Sequence, residues 1–387
     1  MNAPATHRHS YLQNATNRRT LLRLAGGGAA ALALGARLDF AAARQSTFSD
    51  GTQLGDGSFT GGTYAISEND YVYQYATGAD GYAYYTEYDG AEWSGWKQAG
   101  ETSVGWDPAP AYYDGASHAY YTGTDEYIYQ VSWDTYGDAQ WENVSGDYTF
   151  KAAPWATYDN DAVYLYGTAS DNYVYSKSYS GDGWSDWQAV NEAPAHTDYK
   201  PYSVSWDGYE NTFYLGEDNY LYWNRYSHAD GTWTGEKQIP SDYTFTCGAY
   251  AIGYQPEESL YAYSANDQGT PVYNVFDGSA WSGWQPIEAE WSASSKYAPN
   301  AYSYNDAQHV VYVDESNHAY YTWYGADGWA EDGWYDLGDN YGYDSYQYSY
   351  DDELYLTYTG ENGNIYYKAY GADSGGTVDP TPTEEGY

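Results

Sequence analysis

Residues 92–100 read EWSGWKQAG, and the segment returns as GWSDWQAV around Trp184 and Trp187 and as AWSGWQPI around Trp281 and Trp284. Weaker copies stand at Trp141, at Trp233 with Glu236 in place of the second Trp, and at Trp329 with Trp334. The column of the second aromatic therefore runs 96, 141, 187, 236, 284 and 334, at spacings of 45, 46, 49, 48 and 50 residues. A period of this length restricts the chain to a stack or ring of like units, because one unit of that size cannot bury its apolar face alone.

Each unit carries further fixed positions. An aromatic precedes a polar turn at Tyr113, Tyr158, Trp206, Tyr304 and Tyr350. An alternating segment such as YVYQY follows, then a second turn at Asp80-Gly81, Asp125-Glu126, Asp171-Asn172, Asp218-Asn219 and Asn362-Gly363. A third segment repeats one column at Tyr84, Tyr129, Tyr175, Tyr222, Tyr320 and Tyr366. Another lies four residues on, at Tyr88, Trp133, Tyr179, Tyr226, Phe276, Tyr324 and Tyr370. Even spacing puts both columns on one strand face, where they are expected to lie between neighbouring units. The Trp segment is then the fourth strand, and an odd spacing sends Trp93 and Trp96 to different sides. Trp96 is the expected anchor and Trp93 the freer ring.

Four short antiparallel strands per repeat, with no helical period, predict an all-β seven-bladed β-propeller. Seven third strands but six downstream fourth strands can be counted. The N-terminal FSDGTQLG, residues 48–55, is expected to supply the missing strand and close the last blade. Leu, Ile and Val are sparse beside 55 Tyr and 17 Trp. The core must be built from rings, and buried tyrosines must find hydrogen-bond partners across strands.

Six of the 14 basic residues and one of the 55 acids fall in residues 1–44, which leaves 8 basic against 54 acidic residues, a net charge of −46. Such a surface repels nucleic acid and anionic lipid and disfavours anionic sugars. Membrane insertion is not expected, and composition does not address the oligomeric state. The lone Cys247 leaves no intramolecular disulfide. NRRTLLRL at residues 17–24, followed by AGGGAAALALGA, resembles a twin-arginine (Tat) export signal, with a small-residue cleavage region at Ala41, Ala42 and Ala43. The chain divides into a leader over 1–44, the propeller over 45–376 and an acidic Pro/Thr tail over 377–387 read as disordered. Export makes the protein secreted or envelope-associated.

No chemistry-bearing motif of an enzyme stands out. A sialidase would clamp a carboxylate with three arginines, and Arg225 is alone beyond the leader. The histidines are scattered, no phosphate loop or nucleophile elbow is present, and no carboxylate pair is distinguished among the 54. No cofactor and no metal ligand set is predicted. Calcium, held by carboxylates and carbonyls of separate turns, stays open, although no consecutive calcium loop occurs.

Residues 71–100, YVYQYATGADGYAYYTEYDGAEWSGWKQAG, resemble the repeat of the PLL-like seven-bladed lectins, through the turn of Thr77, Gly78, Asp80 and Gly81 and the closing Trp-Ser-Gly-Trp. The resemblance implies a non-enzymatic, multivalent binder of neutral sugars, fucose among them, in grooves between blades. This chain departs from the pattern: Tyr84 and its column replace a Trp, and the arginine–glutamate pairs of related six-bladed fucose lectins cannot repeat with one Arg. The candidate sugar contacts are Asp80, Tyr82, Asp125, Tyr127, Asp171, Tyr173, Asp218 and Tyr220 at the turns, with Trp93, Trp184 and Trp281. Two other readings are an envelope interaction platform without a sugar ligand and, last, a glycan hydrolase or lyase.

Overall fold

The structure is a computed structural model, described for residues 48–371 apart from 69–70, 114, 134–138 and 339. The export signal over 1–44 and the tail over 377–387 lie outside the described residues. Seven antiparallel sheets follow one another along the chain. Blade 1 comprises Phe59–Glu68, Tyr71–Gly78, Tyr82–Tyr88 and Lys97–Ser103. The innermost strands of blades 2 to 7 are Ala109–Tyr113, Trp155–Asp159, Tyr202–Trp206, Tyr250–Tyr254, Asn300–Tyr304 and Tyr346–Tyr350. Each innermost strand touches the next, and that of blade 1 touches those of blades 2 and 7, so the ring is closed. The missing strand comes from the front, as expected: Thr52–Gln53 pairs with Tyr366 and Tyr367 of blade 7, and Phe48 bridges to Tyr370.

The turns explain much of the repeat. The first hairpin turns on two consecutive residues of positive φ, such as Asn160-Asp161, Asp207-Gly208 and Asp351-Asp352, the primed geometry that Asn, Asp and Gly tolerate. In the second hairpin one residue per blade has positive φ: Gly81, Glu126, Asn172, Asn219, Gly269, Asn317 and Gly363. That conformation turns its carbonyl toward the chain entering the next blade. Each of the seven accepts a backbone N–H there, from Val104, Phe150, Ala195, Phe245, Ala293, Tyr341 and Phe59 respectively. The turn residue thus fastens its own hairpin to the neighbouring blade.

Trp-Ser-Gly-Trp is a controlled break before the outer strand. In blade 1, Trp93 bridges Tyr88, and the Ser94 N–H donates to the Glu87 carbonyl at 2.8 Å. The Ser94 hydroxyl in turn accepts the Glu87 N–H at 3.1 Å, and Gly95 at φ +74° redirects the chain. Ser185 and Ser282 repeat both bonds. The second Trp then points at the previous blade. The indole N–H of Trp96 donates to Leu54 O at 2.7 Å, that of Trp187 to Ser145 O at 2.9 Å and that of Trp334 to Glu288 O at 2.7 Å. This column is the inter-blade anchor. Where Glu236 replaces Trp, the polarity reverses, and its carboxylate accepts the backbone N–H groups of Glu192 and Ala193.

The core is aromatic. The largest fully buried side chains are ten tyrosines, Phe150 and Phe213. Several of these hydroxyls cross between blades: Tyr75 to Ser117 Oγ at 2.6 Å, Tyr254 to Asp306 O at 2.6 Å and Tyr312 to Ser264 O at 2.9 Å. All seven rings of the column beginning at Tyr88 meet a ring of the preceding blade, for example Phe276 with Trp223 at 4.9 Å and Tyr88 with Tyr350 at 5.7 Å. The column beginning at Tyr84 differs from expectation. Four of its hydroxyls turn back onto the Asp of their own hairpin, so this column braces the turn as well as the core.

Candidate functional site

The eight turn candidates form one repeated unit. In Asp80, Asp125, Asp171 and Asp218, Oδ1 accepts the backbone N–H of Tyr82, Tyr127, Tyr173 and Tyr220, at 3.1 to 3.3 Å. Oδ2 accepts the hydroxyl of Tyr84, Tyr129, Tyr175 and Tyr222, each at 2.8 Å. Both oxygens of each exposed carboxylate are therefore engaged by the turn, while the four following tyrosines stay half-buried. Trp93, Trp184 and Trp281 stand at the far end of the third strands of blades 1, 3 and 5. Tyr82–Tyr88 is seven residues long, and at about 3.3 Å per residue the two groups are roughly 20 Å apart, on opposite faces of the ring. The structure does not bring them together into one site.

A cavity of about 290 Å³ opens between blades 7 and 1, at the Trp93 end. Its walls are Trp93, Tyr88, Tyr348, Tyr350, Tyr355 and Tyr367, its floor includes Val72 and Ala369, and Asp351, Glu353 and Gly90 lie at its rim. Tyr88 meets Trp93 at 5.3 Å and Tyr350 edge-on at 5.7 Å, and Tyr355 stacks on Tyr348 at 5.4 Å. The Tyr355 hydroxyl donates to Glu353 Oε2 at 2.7 Å and holds that carboxylate at the edge. Burial and the Glu353 charge push the Tyr355 hydroxyl far above its ordinary pKa, so it stays a donor. Among the described residues, no Lys, Arg or His lines the cavity. Lys368, next in sequence to Tyr367, faces away and donates to Ser49 O at 3.3 Å.

Four of the equivalent clefts hold charged groups of the chain itself, so the seven grooves are not alike. Between blades 4 and 5, the Arg225 guanidinium lies over Trp223 at 4.8 Å and Phe276 at 5.4 Å, beside Trp281. Between blades 2 and 3, Lys177 covers Trp184 at 5.0 Å. Between blades 5 and 6, Glu257 accepts the hydroxyls of Tyr261 and Tyr324. Between blades 3 and 4 lies a group that the sequence did not reveal. His228, its side chain 9 % exposed, has Nδ1 3.5 Å from Asp159 Oδ2 and Nε2 3.4 Å from Glu210 Oε1. These three form a cluster of potential metal ligands among the described residues. Glu210 is fully buried and already accepts hydroxyls from Thr157, Tyr166, Ser203 and Ser205. The two imidazole nitrogens face different carboxylates, so the arrangement is that of a histidine placed as counter-ion. The Glu210 carboxylate facing it, together with the Asp159 charge, raises the His228 pKa against the effect of burial.

A second cavity, of about 400 Å³, lies on the ring axis, with residues of all seven blades around it. Its base is a layer of innermost-strand rings: Trp155 on Tyr202 at 4.0 Å, Tyr202 on Tyr250 at 3.9 Å and Tyr64 on Tyr346 at 5.1 Å. Above it, Lys200 of blade 4 crosses the axis to Asp344 of blade 7 at 3.2 Å and lies over the Tyr64 ring at 4.5 Å. Asp107 of blade 2 faces the same ammonium and accepts the Gly62 N–H at 2.7 Å. A Cβ on Gly61 would stand 2.1 Å from Asp107 Oδ1, so the Gly61-Gly62 pair lets that carboxylate reach the backbone. Cys247 is buried and its thiol is pushed up to about 11, which leaves it unreactive.

The fold is a seven-bladed propeller whose inter-blade clefts differ from one another. The chain is similar in structure to the BP39L lectin from Burkholderia pseudomallei, with 13 % identity, a TM-score of 0.69, and coverage of 83 % of this chain and 96 % of that one. It is also similar to an ulvan lyase, a polysaccharide lyase solved bound to -[GlcA(1-4)Rha3S]-, with 12 % identity, a TM-score of 0.57, and coverage of 86 % and 99 %. No protein-family model matches the sequence, and no curated protein matches it. At these identities the likeness is one of fold.

Proposed function

We propose that the protein is an exported, non-enzymatic carbohydrate-binding protein of lectin type, which takes a neutral sugar such as fucose in the cleft between blades 7 and 1. The observation that carries this reading is the cleft itself, six aromatic side chains around about 290 Å³ with two carboxylates at the mouth. Aromatic faces cover the apolar side of a sugar ring, and fixed polar groups at the rim take its hydroxyls. The likeness to a lectin propeller supports the same use of the fold, and the twin-arginine leader supports export. Because four of the other clefts hold charged groups of the chain itself, valency is expected below seven.

The test is a glycan array on the protein without its leader, followed by calorimetry on the glycans it retains. Trp93→Ala removes one aromatic wall, worth about 1.5 kcal/mol, and is expected to weaken binding roughly tenfold. No retention of any neutral glycan at high protein density, or equal affinity in Trp93→Ala, defeats the proposal. Polysaccharide turnover, measured on the same glycans, would move the protein into the enzyme class that shares its fold.

A further inference from the structure

We infer that the cleft between blades 7 and 1, which accepts neutral sugars by stacking, holds amino sugars, that is, hexosamines carrying a free ammonium group, more tightly still, and this rests on the carbohydrate-binding reading above. Three observations lead there. First, the cleft offers aromatic faces at Trp93, Tyr88 and Tyr350, which attract a cation through their ring quadrupoles. Second, the charged groups at its mouth are Asp351 and Glu353, both exposed and both acidic. Tyr355 holds Glu353 through one oxygen, at 2.7 Å, so the carboxylate is oriented before a ligand arrives. Third, no cation of the described residues lines the cleft, whereas the sibling groove between blades 4 and 5 places Arg225 over its rings.

A neutral sugar would use such a site only through stacking and hydrogen bonds. A uronate or sulfated sugar would bring an anion to two fixed carboxylates in a protein already strongly acidic. A protonated amine gains from both the rings and the acids, because a charge-assisted hydrogen bond is about twice as strong as a neutral one. The geometry therefore favours a deacetylated hexosamine over its N-acetylated and acidic counterparts.

The experiment is calorimetry with β-1,4-linked glucosamine tetramer, the N-acetylated tetramer and a glucuronate-containing oligomer, at low and moderate salt. The wild type, Trp93→Ala and Glu353→Gln are compared. The expected result is at least tenfold preference for the free-amine tetramer, reduced severalfold by Glu353→Gln and lost with Trp93→Ala, with no binding of the glucuronate oligomer. Equal or tighter binding of the N-acetylated tetramer overturns this inference and leaves the sugar reading intact. Absence of binding to every glycan defeats both. Spermidine serves as a control for diffuse attraction to an acidic surface. Amine binding that both substitutions leave unchanged, and that spermidine reproduces, also overturns the inference.

Discussion

Asp107→Asn tests whether the charges on the ring axis are held at a cost. Asp107 lies in the wall of the axial cavity, where burial and the neighbouring Asp344 charge raise its pKa from 3.8 to about 6, against the opposing pull of Lys200. A carboxyl whose folded pKa is raised holds its proton more tightly in the native state than in the unfolded chain. Its contribution to stability is therefore greatest below pH 3.8 and is lost as the pH rises through about 6. A shift of this size corresponds to about 3 kcal/mol at neutral pH, as an upper bound, because cavity water can reach the group. The Asn carbonyl can still accept the Gly62 N–H. The variant should match the wild type near pH 4 and exceed it by up to about 3 kcal/mol at pH 7.5, read from urea midpoints and slopes. Taking the difference between the two proteins cancels the titration of the remaining carboxylates. A difference that is flat between pH 4 and 7.5, or one in which the wild type gains with pH, refutes the reasoning.

Two further outcomes separate structure from binding. Trp96→Ala, which removes an indole anchored on Leu54 O and packed on Phe59 at 4.5 Å, should cost about 3 kcal/mol of stability. Trp93→Ala should cost clearly less in the same denaturation assay while it weakens sugar binding. His228 should give a pH-dependent term of opposite chemistry to Asp107 but the same sign. Its pKa is raised, so its stabilisation is complete below about 6.5 and is lost as the pH rises through the folded value. His228→Gln should therefore be destabilised relative to wild type at pH 6 and approach it at pH 9, by urea denaturation.

The architecture was legible because period and alternation are properties of the chain itself. The Trp column, the turn pairs and the need for a front-end strand at Phe48 each follow from residues within one repeat, and the structure pairs them as read. Asp80 and its equivalents were visible for the same reason, but their repetition reflects a turn that binds its own Tyr hydroxyl. The cleft was not legible as a unit. Trp93 lines one cavity with Tyr350 and Glu353 only because the ring brings its last blade against its first. His228 likewise joins Asp159 of blade 3 to Glu210 of its own blade, with no motif to mark the three. Interfaces between repeats are where sequence periodicity is least informative, since each pairs two different copies.

One column contributes to the space in the seam between blades 7 and 1. Ala369 pairs with Tyr355 across blade 7, at the position where Arg225 pairs with Asn211 in blade 4 and Trp323 with His309 in blade 6. Arg225 covers the rings of its groove, whereas the Ala369 methyl group leaves space that the cavity occupies. Ala369→Trp introduces the residue that blade 6 already accommodates at this register. Overpacking commonly costs about 1–3 kcal/mol, and room in the cavity should keep the cost at the low end. The variant should fold with nearly unchanged denaturation midpoint and lose glycan binding by more than tenfold in calorimetry, with Trp93 still in place. If Ala369→Trp is folded and binds with wild-type affinity, the ligand does not enter this cleft. Sugar retained under that condition would have to be sought on the opposite face, among the Asp80 turns.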